Sequence, residues 1–264
     1  MISTDFLEAV MLEVHQFSCL QDNYGFLIHD SATGATASID TPEVDPINQA
    51  LADKGWQLTH ILNTHHHFDH AGGNEALKTQ WQCQVVGAAI DAERIPGIDV
   101  EVRDGEHFAF GSAKAEVIEV PGHTSGHVAY YFADADIAFV GDTLFALGCG
   151  RLFEGTPEQM SVSLSKLMAL PDQTTVYCAH EYTEANAAFA VTVEPNNEAL
   201  QRRVAEIRQL RAAGQPTVPT SIGLERATNP FVRADSPGLQ GVLGMVGADE
   251  VDVFAETRRR KDHF

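Results

Sequence analysis

The run Thr64-His65-His66-His67-Phe68-Asp69-His70 holds four of the chain's 12 histidines and a carboxylate within seven residues. It follows the apolar stretch Leu58 to Leu62 and precedes Ala71-Gly72-Gly73. In an extended segment side chains alternate, so His65, His67 and Asp69 share one side and His66 faces the other. His70 reaches the first side only if the chain turns after Asp69, which the glycines permit. Imidazole nitrogen and carboxylate oxygen are donors that Zn, Fe and Mn accept. Four such donors are too many for one open catalytic ion and suit two. A histidine-rich loop that binds metal by accident is the plain alternative. The H-x-H-x-D-H spacing and three later stretches oppose it.

Composition narrows the partners. The 264 residues carry a net charge of −20, with 44% hydrophobic and 20% charged residues. That is an ordinary globular balance whose field repels nucleic acid and anionic membranes, so neither is an expected partner. The scattered cysteines, Cys19, Cys83, Cys149 and Cys178, form no C-x-x-C pair and fit a reducing compartment. Residues 1–10 lack the basic start and apolar core of a signal peptide, and no apolar run approaches the ~20 residues of a membrane span. A cytoplasmic monomer is expected.

Short strands are expected at Leu12 to Ser18, Gly25 to Ile28, Ala35 to Ile39 and Leu58 to Leu62, with turn residues between the early ones. Asp45-Pro46 opens a helix ended by Gly55, with Asp45 as its cap. Helices are expected at Asn74 to Trp81 and Ala88 to Arg94, and strands at Gln84 to Val86, Val100 to Val102, Phe108 to Phe110, Ala115 to Val120, Val128 to Phe132 and Ile137 to Val140. A helix from Pro157 to Leu170 and a last strand from Thr174 to Cys178 follow. Beyond Tyr182 the strand signal ends. Helices are read at Glu184 to Val191, Glu198 to Ala213, Gly238 to Val246 and Asp249 to Arg260, with a connector at Gln215 to Pro219. The interspersed pattern favours two packed sheets with helices outside, an α/β (α+β) architecture. A boundary divides residues 1–182 from a helical region, 183–264.

Three further strand ends supply donors. His123 lies in Pro121-Gly122-His123-Thr124-Ser125-Gly126-His127, after an apolar strand, and His127 is expected to orient a neighbour by hydrogen bonding. Asp142 follows Ile137 to Val140. A buried carboxylate there needs a partner, although a turn-forming Asp is nearly as good a reading for the residue alone. His180 closes the last strand. Together His65, His67, Asp69, His70, His123, Asp142 and His180 offer seven donors for two ions.

These loops, in this order, resemble the metallo-β-lactamase superfamily. Within it, Gly148-Cys149-Gly150-Arg151-Leu152-Phe153-Glu154-Gly155-Thr156, His180-Glu181-Tyr182-Thr183, Asn229-Pro230-Phe231 and Arg258-Arg259-Arg260-Lys261-Asp262 resemble glyoxalase II, the hydroxyacylglutathione hydrolases. The resemblance runs from about Leu12 to Phe264. It implies a four-layer αβ/βα sandwich followed by a helical, glutathione-binding domain. It also implies two divalent ions, Zn foremost with Fe or Mn as alternatives. His65, His67 and His123 would hold one; Asp69, His70 and His180 the other; Asp142 would bridge them. Arg151, Phe153, Tyr182, Arg258 and Lys261 would hold a glutathione thioester. The family usually has Lys and Tyr where Arg151 and Phe153 stand; the first exchange keeps a cation and the second removes a hydroxyl. The implied reaction is hydrolysis of S-D-lactoylglutathione to D-lactate and glutathione, the second step of methylglyoxal detoxification. Asp69 would take or orient the proton of the attacking water, and Asp142 would hold the centre together.

Other readings remain at this point. A sulfur dioxygenase of the same superfamily would use one iron on His65, His123 and Asp142. Lactonases and nucleases share the fold. Metal sequestration without catalysis is opposed by the complete donor set.

Overall fold

A computed structural model describes residues 12–264; the expectation of no leader over residues 1–10 falls outside them. The first sheet is built from β1 (Leu12–Cys19), β2 (Asn23–Asp30), β3 (Thr36–Ile39), β4 (His60–Leu62), β5 (Gln84–Ala88) and β6 (Val100–Val102), in that spatial order. β1 to β3 are antiparallel neighbours, and β3 to β6 run parallel. The second sheet contains β7 (His107–Phe110), β8 (Ala113–Glu119), β9 (Val128–Phe132) and β10 (Ile137–Gly141). A small hairpin, β11 (Leu144–Phe145) with β12 (Gly148–Cys149), precedes β13 (Thr175–Cys178) and β14 (Thr220–Ser221), which complete that sheet beside β10.

Side-chain alternation assigns the layers. In the first sheet Phe26, Ile28, Leu62 and Val86 enter the core between the sheets, where they meet Tyr130, Phe132, Phe139 and Val176. Their chain neighbours Leu27, Ile61 and Val85 turn to the outer face. There they pack with Ile47, Leu51 and Leu77 from helices α1 (Val44–Lys54), α2 (Phe68–Ala71) and α3 (Asn74–Trp81), the first and third of these carrying the contacts. Each fully buried aliphatic side chain of this kind contributes about 1.5–3 kcal/mol. On the far side, α4 (Pro157–Met168) buries Met160, Leu164 and Leu167. A capping box at Thr156 and Gln159, with Pro157 next, fixes where it starts. The result is helix, sheet, sheet, helix, as the sequence resemblance implies.

After β13 come α5 (Thr183–Val193), α6 (Glu198–Ala212), α7 (Ile222–Thr228), α8 (Pro237–Leu243) and α9 (Glu250–Asp262). α5 and α6 share a small core of Ala187, Ala190, Leu200, Val204 and Ile207 with Leu147 of the β11–β12 hairpin.

Four local expectations are corrected. The helix after β3 is preceded by Glu43, not capped by Asp45; Glu43 spends its carboxylate on the Leu20 N–H (2.7 Å), and Asp45 sits in the first turn. Ala88 to Arg94 is not an α-helix: Ala88 ends β5 and only a single 3₁₀ turn, Ala89–Asp91, follows. Pro96 disfavours helical geometry just beyond, and the Asp91 carboxylate is committed to His66 and Arg94. The strand signal does not end at Tyr182, because β14 pairs antiparallel with β13. The α7 helix, capped by Ser221, was not anticipated beyond the connector.

Candidate metal centre

Five of the seven donors arrive at strand ends, and Asp69 and His70 arrive on the short helix α2. β4 delivers Thr64 to His67, and α2 supplies the turn that brings His70 back toward His65, their rings 4.0 Å apart. β8 leads to His123, β10 to Asp142 and β13 to His180. Gly141, at φ +48°, is required where β10 turns into the site; a Cβ there would stand 2.5 Å from the Thr64 hydroxyl and 2.7 Å from the His127 ring.

All seven predicted donors meet in one place. His65, His67 and His123 converge, as do Asp69, His70 and His180, and donor atoms within each group lie within 4.8 Å of one another. His65, His70 and Asp142 form a third such group joining the two. Asp142 has one oxygen 3.5 Å from His70 Nε2 and 3.3 Å from His180 Nε2, and the other 3.4 Å from His123 Nε2. A carboxylate with its oxygens divided in this way suits a bridge between two cations.

The residues fit a cation on two further counts. His65 Nε2, His70 Nε2 and Asp142 Oδ1 are buried without any hydrogen-bond partner, an arrangement that costs free energy unless something else satisfies them. Burial pushes His65 well below its usual pKa, and does the same in smaller measure for His67 and His123, keeping these imidazoles neutral as ligands must be. Burial opposes charge on His70 and His180 too, yet Asp142 overcomes it and raises both, with Asp40 adding to His70. Burial works against the anionic form of Asp142 and Asp69, but neighbouring imidazoles, His70 foremost, hold both carboxyls well below the usual range. The pocket between these carboxylates therefore demands positive charge.

The supporting ring was only partly foreseen. His127 Nε2 accepts the Asp142 N–H at 3.0 Å, the orienting role expected of it. His123 Nδ1 donates to the Arg151 carbonyl (2.9 Å). Three residues went unnoticed. Asp40 binds His70 Nδ1 (2.8 Å), the Thr64 N–H (2.7 Å) and the Thr64 hydroxyl (2.8 Å). Asp22 holds His180 Nδ1 (3.0 Å), and Asn23 donates to Asp69 Oδ2 (3.1 Å). Such contacts fix tautomer and ring orientation. Asp22 and Asn23 read in sequence only as turn formers. Asp40 gives no signal at all, since its use depends on a left-handed backbone, φ +58°.

The centre opens on a cavity of about 600 Å³ that Arg151, Phe153, Tyr182, Arg258 and Lys261 also line. Their situations differ. Phe153 is 63% exposed, with its ring 5.1 Å from that of His123. Tyr182 stacks on His180 at 4.7 Å, and burial, with Asp22, Asp142 and Asp69 nearby, pushes its phenol well above the usual range. Arg258 is only 5% exposed; it donates to the Cys149 carbonyl (3.0 Å), pairs with Asp262 (2.8 Å) and lies over the Phe231 ring. Lys261 makes one hydrogen bond, to the Ala185 carbonyl (3.2 Å), and burial lowers its pKa. Cys149 is buried, as expected of a small apolar residue.

This fold with this donor cage defines a metallo-β-lactamase protein, and the model of the metallo-beta-lactamase superfamily matches residues 27–180, the span holding all seven donors. The model of the hydroxyacylglutathione hydrolase C-terminus matches residues 181–264. A hydroxyacylglutathione hydrolase of Methylococcus capsulatus is 58% identical, covering 96% of this chain and 99% of its own. One from Maricaulis maris is 57% identical with the same coverage. The chain belongs to the hydroxyacylglutathione hydrolase family. Among solved structures, ETHE1 from Myxococcus xanthus superposes with a TM-score of 0.65 at 27% identity, covering 94% of this chain and 98% of its own. TTHA1623, in a di-iron-bound form, gives 0.60 at 24% identity over 83% and 99%, a likeness of fold. Among the described residues, no helix is long and apolar enough to cross a membrane.

Proposed function

We propose that this chain hydrolyses S-(2-hydroxyacyl)glutathione thioesters, S-D-lactoylglutathione among them, with two divalent cations held by its seven donors. The carrying observation is the Asp142 carboxylate, its oxygens divided between His123 and the His70–His180 pair, at the floor of a cavity rimmed by cations. His65, His67 and His123 would hold one ion, and Asp69, His70 and His180 the other. Their family resemblance favours zinc, with iron or manganese as alternatives; a related fold is known with two irons. Ions held there lower the pKa of a water and polarise a carbonyl.

The chain's own groups do the rest. Asp69, ionised and lining the cavity, is the acceptor that orients the attacking water's proton. Tyr182 stays protonated at any physiological pH and is a donor toward substrate. Arg151 and Lys261 are cations for the carboxylates of the glutathione moiety, and Arg258 braces the β12 end of the cavity. The leaving thiolate, with a reference pKa of about 8.5, departs without a dedicated acid. Residues 183–264, which bring Lys261 and Arg258, would serve as the substrate-binding part and residues 1–182 as the metal-binding part.

The four cysteines, all among the described residues, are free and buried, which supports a reducing, cytoplasmic setting. Turnover of S-D-lactoylglutathione before and after chelation tests the reading. Metal-dependent cleavage is expected, and oxygen uptake with a glutathione persulfide in its place would favour the dioxygenase.

A further inference from the structure

Between His65 and His67 the chain must point His66 out of the metal centre, and the structure gives that imidazole a job. His66 Nδ1 meets Asp91 Oδ2 at 2.9 Å, and Asp91 is fully buried. The other Asp91 oxygen takes the Arg94 guanidinium. Arg94 then reaches three ways: to His66 Nε2 (3.3 Å), to the Ser125 hydroxyl (2.8 Å) and to Glu154 (2.6 and 3.2 Å). Glu154 closes the loop by accepting from the Ser125 N–H (2.7 Å) and hydroxyl (2.8 Å). The approach is close enough to specify Gly126, where a Cβ would lie 2.1 Å from the Asp91 carboxylate.

One guanidinium thus joins three segments whose neighbours face the cavity: His67 beside His66, His123 two residues before Ser125, and Arg151 and Phe153 just before Glu154. The last two segments also meet near their bases, through Phe153 N–H to the His123 carbonyl (3.2 Å), Gly155 N–H to the Gly122 carbonyl (3.1 Å) and His123 Nδ1 to the Arg151 carbonyl (2.9 Å); the guanidinium adds the tie that brings in the His66 segment. The bidentate, charge-assisted pair adds direction as well as strength. We propose that Arg94, with Asp91 and Glu154, is a positioning residue that sets where the Arg151–Phe153 loop stands relative to the metal-binding histidines. The proposal rests on the reading of the cavity as a glutathione-thioester site. Arg94 touches no reacting atom; it acts through the loop.

The outer end of the clamp is the place to cut. Removing Arg94 would leave buried Asp91 without its cation and endanger folding, whereas Glu154→Gln keeps the length, one acceptor and the Asp91–Arg94 pair. Arg94→Lys serves as the second variant, replacing the fork by a point charge. Two thioesters are compared on metal-loaded protein: S-D-lactoylglutathione and the lactoyl thioester of N-acetylcysteamine, which lacks the peptide ends that Arg151 would grip. Hydrogen exchange at the Phe153 and Gly155 amides and metal content are measured alongside. For Glu154→Gln the expected result is a kcat/KM lower by about tenfold on the full substrate, carried chiefly by KM, as loss of one charge-assisted bond implies. The truncated substrate should change by less than about twofold, being independent of that grip. Exchange at both amides should rise while metal content holds. Equal losses on both substrates, unaltered kinetics, or unaltered exchange would overturn the proposal. If the wild type cleaves neither thioester, the substrate reading fails by itself, and the clamp stands or falls on the exchange of those two amides.

Discussion

Asp40 offers a sharp test of how the site is held, because Asp40→Asn changes one oxygen to nitrogen with almost no change of shape. The residue is 5% exposed, and its carboxylate accepts three hydrogen bonds, two of them on the oxygen that faces His70. If the amide oxygen stays toward the Thr64 N–H, the new NH₂ confronts His70 Nδ1–H; if it flips, the NH₂ confronts the Thr64 N–H. Either way one buried donor is stranded, at about 1–3 kcal/mol, and the surviving bonds lose their charge, costing about 1 kcal/mol more. The sum, roughly 2–4 kcal/mol, lowers the melting temperature by about 5–15 °C at the 2–4 °C per kcal/mol typical of this size. Because His70 is left with no acceptor or only an uncharged one, affinity for the cation it would hold should fall about 10–100-fold. Scanning calorimetry of stripped and zinc-loaded protein, with competition against a chelator of known affinity, reads both numbers. A variant that melts with the wild type and keeps its metal would refute the idea that Asp40 orients His70.

Other expectations follow from the same physics. Lys261→Ala should raise KM for the glutathione thioester by about 10–100-fold with kcat and metal content little changed, and Lys261→Arg should recover much of it. Arg203 is buried against Glu225, Thr220 and Thr228, so Arg203→Ala should cost about 3–5 kcal/mol in urea unfolding by leaving the buried Glu225 charge without its cation; a loss under about 1 kcal/mol would contradict this. Burial pushes the thiols of Cys19 and Cys178 up to about 12 and that of Cys149 to about 11. Folded protein should therefore resist iodoacetamide at pH 8, with labelling appearing only as pH nears those values or on unfolding; rapid labelling of Cys149 at pH 8 would show it open to solvent.

The donors were legible because most obey a local rule. Alternation sorted His65 and His67 from His66, and His123, Asp142 and His180 each end an apolar strand; Asp69, expected in the extended run, instead comes in with His70 on the α2 turn, which starts at Phe68, ahead of the glycines. What escaped is what only the folded chain brings together. Nothing in sequence links His66 to Asp91 or Asp40 to His70, and a 3₁₀ turn that carries Asp91 stands where a helix was expected. β14, only Thr220–Ser221, is too short to carry a period. The cluster at Arg258 to Lys261 looked uniform, yet Arg258 is buried and bound to β12 while Arg259 lies out with Glu256.

The most direct measurement of the central claim is hydrolysis of S-D-lactoylglutathione by stripped protein titrated with zinc. Activity should be absent at the start, rise with added metal and break to a plateau at two equivalents per chain. A plateau at one equivalent would contradict the two-ion centre, and no turnover at any loading would contradict the assignment of a thioester hydrolase.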